Sequence, residues 1–69
     1  MEIGKKLKEA RLNRDLTQEV IAEKLNVSRQ TISNWENEKS YPEIISVIEL
    51  SNLYSISLDD LLKGDERMM

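Results

Sequence analysis

The sequence predicts an all-α domain of five short helices, and three observations carry that prediction. Apolar residues recur at helical rather than alternating spacing along nearly the whole chain. Helix-capping residues stand between these periodic stretches, with Thr17, Ser28 and Ser57 at starts and Asn26 at an end. The chain has 69 residues and no cysteine, so one domain must rest on packed aliphatic side chains without a disulfide or thiolate–metal staple.

In chain order, Ile3, Leu7 and Ala10 form the apolar stripe of a first helix, with Lys5, Lys6, Lys8 and Glu9 outside it and Asn13-Arg14-Asp15 reading as a turn. Thr17 caps a second helix, Gln18–Leu25, with Ile21, Ala22 and Leu25 on one side. Asn26 suits a left-handed conformation and ends that helix sharply. Ser28 caps a third helix, from Arg29 to about Asn37, with Ile32 and Trp35 facing inward. Pro42 stops any continuation and suits the start of a fourth helix. That helix is apolar over a wide arc through Ile44, Val47, Ile48, Leu50, Leu53 and Tyr54. Ser57 caps a short fifth helix whose Asp59 and Asp60 complement its dipole, and Gly64 closes it. Residues 1–64 thus read as the domain and 65–69 as a frayed tail. Tyr54 is expected in the core and Tyr41 partly exposed.

Composition excludes several classes of function. With no histidine, no cysteine and no glycine-rich loop, nothing nominates a catalytic site, a cofactor or a small-molecule ligand. Capping accounts for Asp59-Asp60 better than a metal site does. The longest apolar run is Val20-Ile21-Ala22, too short for a membrane span or a signal core, so a cytoplasmic protein is expected. The formal net charge is −3, but it is unevenly spread. Residues 1–39 carry eight Lys/Arg against seven Asp/Glu, whereas residues 40–69 carry two against six. The basic half leaves a face that phosphate can approach.

Residues 18–37 are the informative stretch: two short helices joined by a very tight turn. A small residue, Ala22, lets the backbones approach; Asn26 tolerates positive φ; Leu25, Val27 and Ile32 lock the corner. The run Thr17-Gln18-x-x-x-Ala22-x-x-Leu25-x-Val27-Ser28-Arg29-Gln30-Thr31-Ile32-Ser33-Asn34-Trp35-Glu36 strongly resembles the Cro/Xre-type family of helix-turn-helix regulators. The resemblance continues through Pro42 to Ser57-Leu58-Asp59-Asp60-Leu61-Leu62 without a gap. It implies a compact five-helix, lambda-repressor-like DNA-binding domain with the helix-turn-helix at helices two and three.

What the resemblance implies about residues is specific. The third helix would enter the major groove and present Arg29, Gln30, Ser33 and Asn34 to base edges. Considered singly, each of these reads as a solvated surface residue; their shared face favours base contact. Gln18 would hold a phosphate at a helix N-terminus. Thr31, Asn37, Lys39 and Ser40 are further candidates for the DNA backbone. An ion pair between Arg11 and Glu36 would tie helix one to helix three, with the modest energy of a surface pair. One departure stands out: Glu38 occupies a position commonly glycine in the family, where a carboxylate is unfavourable at a helix C-terminus and near DNA phosphate.

The expected activity is sequence-specific binding of double-stranded DNA by a homodimer on a palindromic site, as a repressor rather than an activator. Two recognition helices about 34 Å apart multiply the few base pairs that one can read. Ile45, Ile48, Ile56 and Leu58 are the expected dimer surface. The alternative is a protein-interaction module, an antitoxin half or a helical adaptor, which the acidic balance and Glu38 favour a little. Related chains often extend past Leu61-Leu62-Lys63-Gly64-Asp65, so a longer regulator is also expected.

Overall fold

The computed structural model describes residues 3–62 and contains five helices: α1 (Ile3–Asn13), α2 (Gln18–Leu25), α3 (Arg29–Glu36), α4 (Ile44–Tyr54) and α5 (Leu58–Leu62). The expected role of Gly64 and the tail at 65–69 lie outside the described residues. Helix α1 packs on α3, α4 and α5, while α2 packs chiefly on α3. Ile3, Leu7, Ile21, Ile32, Trp35, Val47, Leu50, Tyr54 and Leu61 meet in one buried cluster. The periodic stripes therefore converge as expected, with Ala22 buried where α2 meets α3.

Two hydroxyl caps set the frame of the site. Thr17 Oγ1 accepts from the Val20 amide at 3.1 Å, and Ser28 Oγ accepts from the Thr31 amide at 3.1 Å. Asn26 takes the left-handed conformation, φ 60°, and turns the chain so that only three residues separate Leu25 from the start of α3.

Helices α1 to α4 all stop in the same way, which the sequence signalled only for Asn26. Asp15, Asn26, Glu38 and Ser55 each have φ between 56° and 64°, and none is glycine. In each case the next amide reaches back to close the terminus: Leu16 to the Arg11 carbonyl, Val27 to Ala22, Lys39 to Asn34 and Ile56 to Ser51. Leu16, Val27 and Ile56 then fold onto the core, as an apolar residue after such a turn does. Lys39 is the exception. It stays exposed beside the end of α3.

Some expectations need correction. Helix α4 starts at Ile44 with Glu43 as its flanking residue, so Pro42 precedes the helix rather than opening it. Ile44 is 63% exposed, outside the buried arc through Val47, Leu50 and Tyr54. Of the residues expected at a dimer surface, Ile56 and Leu58 are half-buried and pack against the core, whereas Ile45 and Ile48 are exposed.

Candidate nucleic-acid interface

Helix α3 divides into two faces. Ile32, Trp35 and Glu36 are buried, whereas Arg29 and Gln30 are exposed and Ser33 and Asn34 half-buried on the opposite side. The exposed polar side chains are ordered among themselves. Gln30 Nε2 donates to Asn34 Oδ1 at 3.0 Å, and Asn37 Nδ2 donates to Ser33 Oγ at 3.2 Å. The Gln30–Asn34 bond still leaves Gln30 an acceptor and one N–H, the pair an adenine edge requires.

Behind this face lies a polar chain that starts in the core. Arg11 grips Glu36 with two hydrogen bonds, Nε to Oε2 at 2.7 Å and Nη2 to Oε1 at 3.0 Å, and gives Nη1 to the Leu16 carbonyl at 2.9 Å. The side chains are 10% and 2% exposed, so this pair is buried rather than superficial. Its energetics follow from that: removing one partner strands a charge in low dielectric. The hydrogen bond to Glu36 is the main reason the Arg11 guanidinium is held above its ordinary pKa. Nearby, burial chiefly pushes the Tyr54 hydroxyl up to about 12, with the Glu36 charge adding and Arg11 opposing.

Gln18 extends the chain to the surface. Its Nε2 donates to Glu36 Oε1 at 3.1 Å and its Oε1 accepts from Arg29 Nη1 at 3.2 Å. The side chain is thus engaged on both ends, and one amide N–H remains for a phosphate. Glu19, next in sequence, lies 3.8 Å from Arg29 Nε. Neither the Gln18–Arg29 bond nor the Glu19–Arg29 pair was legible from spacing alone, although Glu19 in the first turn is an ordinary dipole complement.

At the far end of α3 the reading of Glu38 changes. Its carboxylate has a partner of its own: Oε2 accepts from the Gly4 amide at 2.7 Å and so caps the N-terminus of α1. Helix α3 still exits normally, because Glu38 adopts the left-handed conformation that glycine usually provides. The approach is close. A Cβ on Gly4 would meet the Trp35 carbonyl oxygen at 2.5 Å, Glu38 Oε2 at 2.7 Å and the Glu36 carbonyl oxygen at 2.8 Å. Gly4 was missed, though a glycine one residue into an apolar helical stripe signals a tight contact.

The candidate backbone contacts are placed as follows. Thr31 is half-buried and its hydroxyl lies 2.9 Å from Ser28 Oγ. Asn37, Lys39 and Ser40 are exposed together after α3. The amides of Lys39 and Ser40 are taken by the Asn34 carbonyl, at 2.9 and 3.4 Å, leaving side chains for any phosphate contact. Ile45 and Ile48, 64% and 42% exposed, stand with Ile44 and Tyr41 on the first half of α4 and the strand of chain before it.

This corner, with a capped second helix, a left-handed asparagine and an amphipathic third helix, defines a helix-turn-helix domain. The helix-turn-helix family model matches residues 7–61. The chain belongs to the Cro/Xre-type helix-turn-helix family of transcriptional regulators. It is 46% identical over 66 residues to the HTH-type transcriptional activator BcrR of Enterococcus faecalis, covering 96% of this chain and 32% of that one. To the HTH-type transcriptional regulator ImmR of Bacillus subtilis it is also 46% identical over 66 residues, here 52% of the relative. An uncharacterized HTH-type transcriptional regulator of Methanocaldococcus jannaschii, MJ0272, matches at 38% over 56 residues, 85% of its length. The chain thus spans about half or less of the first two. No helix among the described residues is long and apolar enough to cross a membrane.

Proposed function

We propose that this domain binds double-stranded DNA sequence-specifically as a transcriptional regulator, in the cytoplasm, with α3 in the major groove and two copies on a palindromic site. The observation that carries the reading is the exposed face of α3, where Arg29, Gln30, Ser33 and Asn34 lie opposite buried Ile32, Trp35 and Glu36. Arg29 is assigned to a guanine edge, and the amides of Gln30 and Asn34 to adenine. Gln18, Thr31, Asn37, Lys39 and Ser40 are assigned to phosphates. The second copy is assigned to the apolar patch of Tyr41, Ile44, Ile45 and Ile48. Repression is the assigned mode, because occupancy of a promoter by α3 suffices for it; one relative, BcrR, is named an activator. Capture of Glu38 by α1 removes one of the two features that favoured a purely protein-binding module.

Selection of bound sites from random duplex DNA tests the reading, and an inverted repeat with half-sites one helical turn apart is the expected product. On that operator Arg29→Ala should cost about 1–3 kcal/mol and relax preference at one base pair, while Lys39→Ala should weaken all sequences alike and lower the salt slope by about 1. Gln18→Ala should do both, because Gln18 also holds Arg29. Failure to bind any duplex at low salt overturns the proposal.

A further inference from the structure

Arg29 is held before any DNA arrives. Its Nη1 donates to Gln18 Oε1 at 3.2 Å, and its Nε lies 3.8 Å from Glu19 Oε2, so two adjacent residues of the first turn of α2 share one guanidinium. The Glu19 contact is long and both side chains are more than half exposed. Its weakness as a stabilising pair is evident. Its position is another matter, because an exposed carboxylate 3.8 Å from the guanidinium, on the residue next to Gln18, weakens the attraction of that corner for a phosphate.

We infer that Glu19 is a specificity-determining residue, keeping Arg29 off the phosphate backbone and so reserving it for a base. The inference rests on the reading of Arg29 as a base reader. A guanidinium on a flexible stem beside duplex DNA has two destinations. Phosphates are numerous and carry no sequence information, whereas a guanine edge offers two acceptors in one fixed plane. Glu19 partly neutralises the guanidinium on the α2 side and repels phosphate from that spot. Of the five N–H bonds of Arg29, one on Nη1 goes to Gln18 and Nε is the nitrogen beside Glu19, which leaves three on Nη1 and Nη2. A bidentate guanine contact needs two. The clamp therefore withholds the arginine from a competitor without using the donors the base requires. Gln18 can hold its end because its own Nε2 is tied to Glu36, which is buried against Arg11.

The test uses Glu19→Gln, a change of nearly equal volume at an exposed position, together with Arg29→Ala and the double variant. Each is titrated against the selected operator, the operator altered at the base pair that Arg29→Ala relaxes, and mixed-sequence duplex, over a salt series. Glu19→Gln should bind mixed DNA about two- to fivefold more tightly, the range an exposed ion pair covers. Its log–log salt slope there should steepen by about 0.9, the signature of one new phosphate contact. Operator affinity should rise less, so the ratio of specific to nonspecific binding falls. Both differences should vanish in the Arg29→Ala background. An equal gain on operator and mixed DNA, or a gain that persists without Arg29, overturns the inference and makes Glu19 a bulk repulsive charge. Arg29→Ala with unaltered preference at every base pair would instead remove the base-reading assignment, and the inference with it.

Discussion

The two halves of α3 are held by different physics. The C-terminal half is fastened to α1 by two carboxylates, Glu36 on Arg11 and Glu38 on the Gly4 amide, with Ile32 and Trp35 buried beneath. The N-terminal half is held by the Ser28 hydroxyl and by side-chain pairs open to water. One end is therefore anchored in another helix and the other is dressed with replaceable polar groups. Arg29 and Gln30, the proposed base readers, can be exchanged without touching the anchored end of the helix. Gln18 joins the two ends, bonding Glu36 and Arg29 at once.

The largest expected effect breaks the fastened end. Glu36→Ala strands the Arg11 guanidinium in the interior and should cost about 3–5 kcal/mol in urea unfolding. A domain this small has little more than that to lose. Arg29→Ala, in the same assay, should stay within about 0.5 kcal/mol because the residue is exposed. Equal losses for the two variants would abolish the contrast between the halves.

Tyr54 offers a milder way to loosen the same end. Its hydroxyl is pushed up to about 12 in the fold, from an ordinary value of 10. A folded pKa raised in this way means the contribution is complete below pH 10 and is lost as pH rises through 12. The expected loss approaches about 2–3 kcal/mol. Lysines titrate in the same window, so the comparison is with Tyr54→Phe, whose stability should fall less steeply between pH 10 and 12. Parallel profiles for the two proteins would mean that Tyr54 ionises as easily folded as unfolded.

Gly4 tests the contact between α1 and α3 with a sign reversal. An alanine in place of glycine inside a helix ordinarily gains about 1 kcal/mol. Here the added Cβ meets two backbone carbonyl oxygens below 3 Å, and the helices must part to admit it. Gly4→Ala should therefore lose about 1–3 kcal/mol. A gain would show that α1 slides freely over the end of α3.

How far the sequence reveals this arrangement depends on the range of the forces involved. Boundaries of α2 and α3 were legible because Thr17, Asn26 and Ser28 act on backbone within three residues of themselves. The core stripes were legible because periodicity is local and one domain has one interior. Glu38 was misread because its partner, the Gly4 amide, is 34 residues away. Asp15 and Ser55 carry no strong signal for the left-handed conformation they adopt, which the amide–carbonyl bonds of their helix ends impose. That Ile56 and Leu58 lie half-buried against the core was not legible, because counting apolar residues does not tell how far a turn will fold each of them inward. The Arg11–Glu36 pairing came from family resemblance; its burial, which sets its energy, needed the fold.

The smallest effects separate the two contributions of Glu38. Ser55 and Glu38 both sit at positive φ after a helix, at 58° and 64°, so glycine should relieve similar strain at each. Ser55→Gly should gain about 0.5–1 kcal/mol once the added freedom of the unfolded chain is subtracted. Glu38→Gly gains the same backbone relief but forfeits the carboxylate that caps α1, a loss of about 0.5–2 kcal/mol. Its net change should lie near zero or slightly below, so thermal unfolding should place it several degrees under Ser55→Gly. Equal gains at both positions would mean that the clasp on Gly4 contributes nothing, leaving the Arg11–Glu36 pair as the sole ionic fastening of α3 to α1 among the described residues.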